Sequence, residues 1–196
     1  VDFIARNKDR PFCLYVPHGA VHSPIQGPDN KPGRGPNKVK KAEQPQRPQD
    51  ATTRLMMKAL DENVGAILDA LDHYQLAERT LVVFFSDNGG AAHMRCDPLR
   101  GRKGTVWEGG HRVPAIAWWP GKIKPGSRTD QLSISLDLMP TMLQLAGVPA
   151  SQDRPLDGVN LLPLLLEGKS LGQRQLFWNG VAMRDGPWKL VTRAKE

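Results

Sequence analysis

The chain has 196 residues, 27 Lys+Arg against 20 Asp+Glu, a formal charge of +7 and 39% apolar composition. That length holds one domain with a real core, or part of a larger one, and the composition excludes disorder along the whole chain. No run of about 18 apolar residues occurs, so no helix spans a membrane, and two cysteines, Cys13 and Cys96, are too few for a disulfide scaffold.

The first element, Pro11-Phe12-Cys13-Leu14-Tyr15-Val16, is a short apolar run and reads as a buried strand. It leads into the polar cluster Pro17-His18-Gly19-Ala20-Val21-His22-Ser23-Pro24. Residues 29–49 follow, with six basic side chains (Lys31, Arg34, Lys38, Lys40, Lys41, Arg47) against Asp29 and Glu43, and prolines at 32, 36, 45 and 48. Such a stretch cannot be a core helix or strand. It is either a solvated loop or an electrostatic lip for a polyanion. Without an aromatic residue for base stacking or a recognisable module, it does not point to nucleic acid.

A long helix comes next, over about 51–75, with Asp50 as N-cap and an apolar stripe of Leu55, Ala59, Leu60, Val64, Ile67, Leu68 and Leu71. Thr80-Leu81-Val82-Val83-Phe84-Phe85 reads as a central parallel strand. It runs into Ser86-Asp87-Asn88-Gly89-Gly90. If it lies parallel to the first strand, both polar clusters share one sheet edge, where α/β folds bind ligands. Beyond lies a loop too long for a plain connection, carrying Arg100, Arg102 and Lys103 among glycines, then Glu108-Gly109-Gly110-His111-Arg112. Glycines allow close backbone approach, and the clustered cations suit a sulfate or phosphate group. Asp87 and Asn88 offer hard oxygen donors, which suit Ca²⁺ or Mg²⁺ rather than Zn²⁺.

Pro114-Ala115-Ile116-Ala117-Trp118-Trp119 is a third strand, and a helix runs from Asp137 as N-cap, through Pro140, to Gly147. Leu176-Phe177-Trp178 and Trp188-Lys189-Leu190-Val191, the latter after an Asp185-Gly186 turn, read as antiparallel strands. The order predicts an α/β sandwich with a small β-rich appendage. The start at Val1 without Met, and the end just after a strand, read as a piece of a longer protein.

Taken in order, Pro17-His18-x-x-x-His22-x-Pro24, Ser86-Asp87-Asn88-Gly89, Leu99-Arg100-Gly101-x-Lys103-Gly104-x-x-x-Glu108-Gly109-Gly110-x-Arg112-Val113-Pro114, Asp137-Leu138-x-Pro140-Thr141-x-Leu143-x-Leu145-Ala146-Gly147, Asp157-Gly158 and Arg184-Asp185-Gly186-x-Trp188-Lys189-Leu190 resemble the type I sulfatases, the arylsulfatase-like members of the alkaline phosphatase superfamily. The resemblance implies a mixed, mostly parallel sheet sandwiched by helices, with a small C-terminal antiparallel subdomain beginning near the end. It divides the chain into 1–150, the late part of the catalytic α/β domain, and 151–196, the start of that subdomain.

The family cleaves sulfate esters with a formylglycine nucleophile and Ca²⁺. By resemblance, Asp87 and Asn88 are metal ligands, Lys103 binds a sulfate oxygen and stabilises transition-state charge, and His22 sits by the bridging oxygen as sulfate contact or leaving-group acid. The implied substrate is a sulfated small molecule or sulfated glycan, and the implied compartment is periplasmic, lysosomal or extracellular. The family's nucleophile motif, Cys/Ser-x-Pro-x-Arg, and its other metal ligands are expected before Val1. Cys96-Asp97-Pro98-Leu99-Arg100 fits that motif by coincidence, because its second half already belongs to the lysine loop. The isolated chain is therefore expected to lack sulfatase activity and to bind Ca²⁺ weakly. The competing readings are a phosphoester or phosphonate hydrolase of the same superfamily and a non-catalytic anion-binding relative.

Overall fold

The computed structural model describes residues 1–22, 25, 51–91 and 94–192. The basic stretch 29–49 and the predicted N-cap Asp50 lie outside the described residues, as do Ser23 and Pro24 of the first polar cluster.

The amino-terminal part builds one core. Helix α1 (Asp2–Asn7) and the long helix α2 (Ala51–His73) pack together. Their buried residues Ile4, Ala70 and Leu71 join Leu76, and Phe12, Ile67, Tyr74, Val82 and Trp118 close around them. The buried face of α2 is turned slightly from the predicted stripe. Thr53 and Met56 are buried, whereas Leu55 is exposed. The helix ends at His73, where the Leu76 amide bonds to Leu71 O at 2.8 Å and Gln75 takes a positive φ of 56°.

Strands β1 (Val82–Phe85) and β2 (Ala115–Trp118) are the predicted second and third strands, but they pair antiparallel, with Val82 opposite Trp118 and Phe85 opposite Ala115. Every ladder among the described residues is antiparallel. The predicted first strand, 11–16, enters no ladder there, and Leu14, Tyr15 and Val16 are exposed. Its apolarity registers a demand for burial, and the described residues supply no neighbouring strand to meet it. The shared sheet edge expected from parallel pairing of these two strands therefore does not form between them. Antiparallel pairing instead makes residues 86–114 one long connection closed at its base by β1 and β2. The short helix α3 (Glu108–His111) lies within it.

After a 3-10 turn at Ser135–Asp137, helix α4 (Leu138–Leu145) carries Pro140 in its first turn and stops before Gly147, at φ 66°. Asp137 precedes α4 as predicted, but its side chain does not cap that helix. It accepts the amides of Ile134 (2.8 Å) and Val159 (2.9 Å) and pairs with Arg174. Thr141, buried on α4, donates to Asp137 O and accepts from the Leu161 amide ahead of helix α5 (Leu162–Glu167). Gly158 is where this junction is tightest: a Cβ there would stand 2.1 Å from Leu136 O.

The chain then forms an antiparallel sheet of β3 (Gln175–Trp178), β4 (Ala182–Asp185) and β5 (Trp188–Val191), in that order. The two outer strands match the predicted ones. The middle strand was not predicted from the sequence. Its turn signal, Asn179-Gly180, is present, and both residues take positive φ (50° and 65°). Register places Leu176, Arg184 and Lys189 in one row and Phe177, Met183 and Leu190 in the next. Successive rows face opposite sides, so the Arg184 row turns inward, and in the other row Phe177 and Leu190 stay exposed while Met183 is half-buried.

Candidate active site

Asp87 and Asn88 follow directly from the end of β1, Asp87 exposed and Asn88 half-buried. The Ser86 hydroxyl donates to Asn88 O at 2.8 Å and shapes the turn. This segment is stitched to the lysine loop by backbone. The Gly89 amide donates to Gly110 O (2.9 Å), and the Lys103 amide donates to Gly90 O (2.9 Å). The structure thus brings together three of the four predicted site residues, Asp87, Asn88 and Lys103, on adjoining segments of one connection. His22 belongs to a separate segment. It is exposed and ends the turn in which its amide bonds to Gly19 O at 3.0 Å.

The glycines explain how the backbones come so close. A Cβ on Gly89 would stand 1.7 Å from Gly109 O, one on Gly109 2.2 Å from Gly101 O, and one on Gly110 2.1 Å from Thr105 O. No side chain fits at any of the three positions. Lys103 lies between Gly101 and Gly104, at φ of 82° and 88°, conformations open to glycine at little cost. The Gly109 amide donates to Arg100 O at 2.8 Å, so the start of α3 fixes the path of the loop before it. All three predicted loop cations are exposed, and Arg100 lies over the Trp107 ring at 3.9 Å.

A second cluster, not foreseen as a unit from the sequence, lies behind this loop. Glu108 accepts from Arg184 Nη1 at 2.5 Å and from Lys189 Nζ at 3.1 Å, with Arg112 at 3.8 Å. Lys189 also reaches His111 Nε2 and lies 4.5 Å from the Trp178 ring, on which His111 stacks at 4.4 Å. Burial alone would raise the Glu108 carboxyl, but the hydrogen bonds from Lys189 and Arg184 outweigh it and hold the group below the ordinary carboxylate value. Burial, then the Lys189 charge, lowers His111, favouring the neutral ring, whose Nε2 is in reach of both Lys189 Nζ and, at 3.2 Å, Val106 O. Burial lowers Lys189 as well, against the pull of Glu108. No local signal reveals this cluster, because its partners lie 76 and 81 positions apart.

Among the described residues no group of three or more His, Cys, Asp or Glu side chains forms a metal site. Asp87 and Asn88 fit a hard cation such as Ca²⁺ in donor type, and they supply two of the roughly six to eight oxygens it takes. Among the described residues no helix is long and apolar enough to cross a membrane.

Comparison with known proteins bears on the whole chain. The Sulfatase family model matches residues 1–148. N-acetylgalactosamine-6-sulfatase of Homo sapiens is 36% identical over 187 residues, which is 92% of this chain and 33% of that protein. Arylsulfatase A of Homo sapiens is 39% identical over 203 residues, 94% of this chain and 36% of that protein. The crystal structure of Ps i-CgsB superposes with a TM-score of 0.78 at 31% identity, covering 98% of this chain and 44% of the other. The chain spans about a third of the length of these curated relatives. The structural likeness gives it the α/β, alkaline phosphatase-like fold of sulfatases, and β3–β5 match the expected start of a small antiparallel subdomain. With the family model across residues 1–148 and relatives above 30% identity over most of its length, the chain belongs to the sulfatase family.

Proposed function

We propose that the protein containing this chain is a sulfuric ester hydrolase acting on a sulfated carbohydrate, and that this chain supplies one side of its active site. The observation that supports the reading is the pair of backbone hydrogen bonds, Gly89 N–H to Gly110 O and Lys103 N–H to Gly90 O, that ties the lysine loop to the glycines directly after Asp87 and Asn88. A cationic donor next to hard oxygen ligands is what a sulfate group needs. Asp87 and Asn88 are the residues that would hold Ca²⁺, which when bound offsets the negative charge of the sulfate oxygens. The Lys103 ammonium donates to a sulfate oxygen and meets the charge that grows as the S–O bond breaks. His22, from its own turn, donates a proton to the departing bridging oxygen. The formylglycine nucleophile of the family is expected on a motif outside these 196 residues. Cys96 lies half-buried within the 86–114 connection, its thiol 3.6 Å from Gly90 O.

The carbohydrate assignment draws on the relatives. Several are named N-acetylgalactosamine-6-sulfatase, and Ps i-CgsB has been solved in complex with k-i-k-neocarrahexaose. A periplasmic, lysosomal or extracellular location belongs to the same reading.

The full-length protein, supplied with Ca²⁺, should be assayed on a sulfate ester and a phosphate ester of the same alcohol. The sulfate ester should turn over faster, and Lys103→Ala should lower kcat/KM by about 10²–10³-fold. A preference for the phosphate ester, or an unchanged rate in Lys103→Ala, would overturn the proposal.

A further inference from the structure

We propose that Arg184 and Lys189 of the C-terminal sheet are positioning residues for Lys103, acting through Glu108. The inference rests on the role given to Lys103 above, and adds that the small sheet is part of the catalytic apparatus.

The connection can be followed atom by atom. Glu108 opens α3 and is gripped from two adjacent strands, by Arg184 Nη1 from β4 and Lys189 Nζ from β5. The grip is itself braced. Arg184 Nε donates to Gly186 O at 3.0 Å, and Lys189 reaches His111, which stacks on Trp178 of β3. All three charged side chains are at most about a fifth exposed, so water screens the attraction only partly. Glu108 is followed by the two glycines whose backbones interlock with the loop. Gly109 N–H bonds to Arg100 O and its Cα abuts Gly101 O, while Gly110 abuts Thr105 O and accepts at its own carbonyl from Gly89. Lys103 stands between those contact points, with its amide tied to Gly90. Moving Glu108 therefore moves the track on which Lys103 is held, and interlocked glycines leave no slack to absorb the shift. Arg184 bonds to Glu108 and Gly186 O, and Lys189 to Glu108 and His111, so both act on Lys103 by position, through Glu108.

A misplacement of about 1 Å at a charge-stabilising group costs on the order of 10²-fold in rate. In the full-length protein, Arg184→Met should lower kcat on a sulfate ester by that order, with KM moving much less, because the Lys103 contact tightens in the transition state. Arg184→Lys, which keeps a cation toward Glu108, should recover at least tenfold of the loss. Amide hydrogen exchange over residues 99–112 should speed up in Arg184→Met while α2 keeps its protection. If the parent protein turns over no sulfate ester, the functional reading fails, and the exchange measurement alone then decides the tether. A kcat within twofold of the parent in Arg184→Met, no recovery in Arg184→Lys, or unchanged exchange over 99–112 would overturn the proposal.

Discussion

Asp137 and Arg174 form a two-pronged ion pair across 37 positions of sequence, Nη1 to Oδ2 at 2.8 Å and Nη2 to Oδ1 at 2.7 Å, with the Asp137 side chain fully buried. The carboxylate is satisfied on all sides, because it also takes the amides of Ile134 and Val159. Arg174 in turn donates to Leu132 O at 3.0 Å. One side chain thereby joins the approach to α4, the Gly158 junction and the strand that opens the C-terminal sheet.

Breaking this pair from one side strands a buried charge. Asp137→Asn leaves the Arg174 guanidinium without its counter-charge and turns an amide donor toward donors already present. The expected loss is about 3–5 kcal/mol of unfolding free energy. Arg174→Met should cost a similar amount, and the double variant should lose less than the sum of the two, since it removes both charges together. Denaturant unfolding of the full-length protein measures all three. Additive losses would show that the pair is not coupled.

The glycine interlock makes an opposite pair of predictions for one kind of substitution. Gly89→Ala forces a Cβ to 1.7 Å from Gly109 O, which is backbone and cannot swing aside. It should cost about 3 kcal/mol and displace the lysine loop. Gly65→Ala lies inside α2 with nothing within 4 Å of the new Cβ, so it should gain about 0.5–1 kcal/mol. Thermal unfolding of the two variants should shift in opposite directions, and a Gly89→Ala protein as stable as its parent would refute the close packing.

The His111–Lys189 contact predicts a stability that falls on acidification. Burial and the Lys189 charge lower His111 from its ordinary 6.5. Below 6.5 the unfolded chain takes up a proton that the folded ring still refuses, so stability rises with pH across that window. The contribution is complete above 6.5 and is lost as pH falls toward the folded value. Glu108, lowered from 4.5 because its hydrogen bonds outweigh its burial, adds a loss of the same sign at lower pH. His111→Phe keeps a ring for Trp178 but cannot titrate. Its unfolding temperature should decline less than the parent's just below 6.5, and parallel declines would rule His111 out as the source.

The site segments were readable because their chemistry is local. Asp87-Asn88 after an apolar run, and Lys103 among glycines, declare their types by themselves. The glycines also foretold close backbone approach, which the interlock of Gly89, Gly101, Gly109 and Gly110 realises. What resisted reading was partnership. Residues 11–16 and 82–85 look alike as apolar runs, yet only the second finds a ladder among the described residues. Periodicity measures how much surface must be covered and is silent on which strand covers it, or in which direction. Glu108 and Asp137 show the same limit in charge. Each was visible as a motif residue, but the cations Arg174, just before β3, Arg184 of β4 and Lys189 of β5 arrive dozens of positions later.

The proline-rich basic stretch, 29–49, yields a prediction from its charge alone. Its net +4 follows His22 closely in the sequence, and opposite charge would draw a polyanionic substrate to Lys38, Lys40 and Lys41. Those contacts would touch sugars and sulfates remote from the reacting bond, hence bind ground and transition states alike. Replacing the three lysines by Gln in the full-length protein should therefore raise KM for a sulfated oligosaccharide several-fold and leave kcat nearly unchanged. KM for a small aryl sulfate, which reaches only the reacting centre, should hardly move. The oligosaccharide effect should also shrink with added salt, since exposed charges are screened over about 8–10 Å at moderate ionic strength. Equal shifts for both substrates, or none for either, would return the stretch to plain solvated surface.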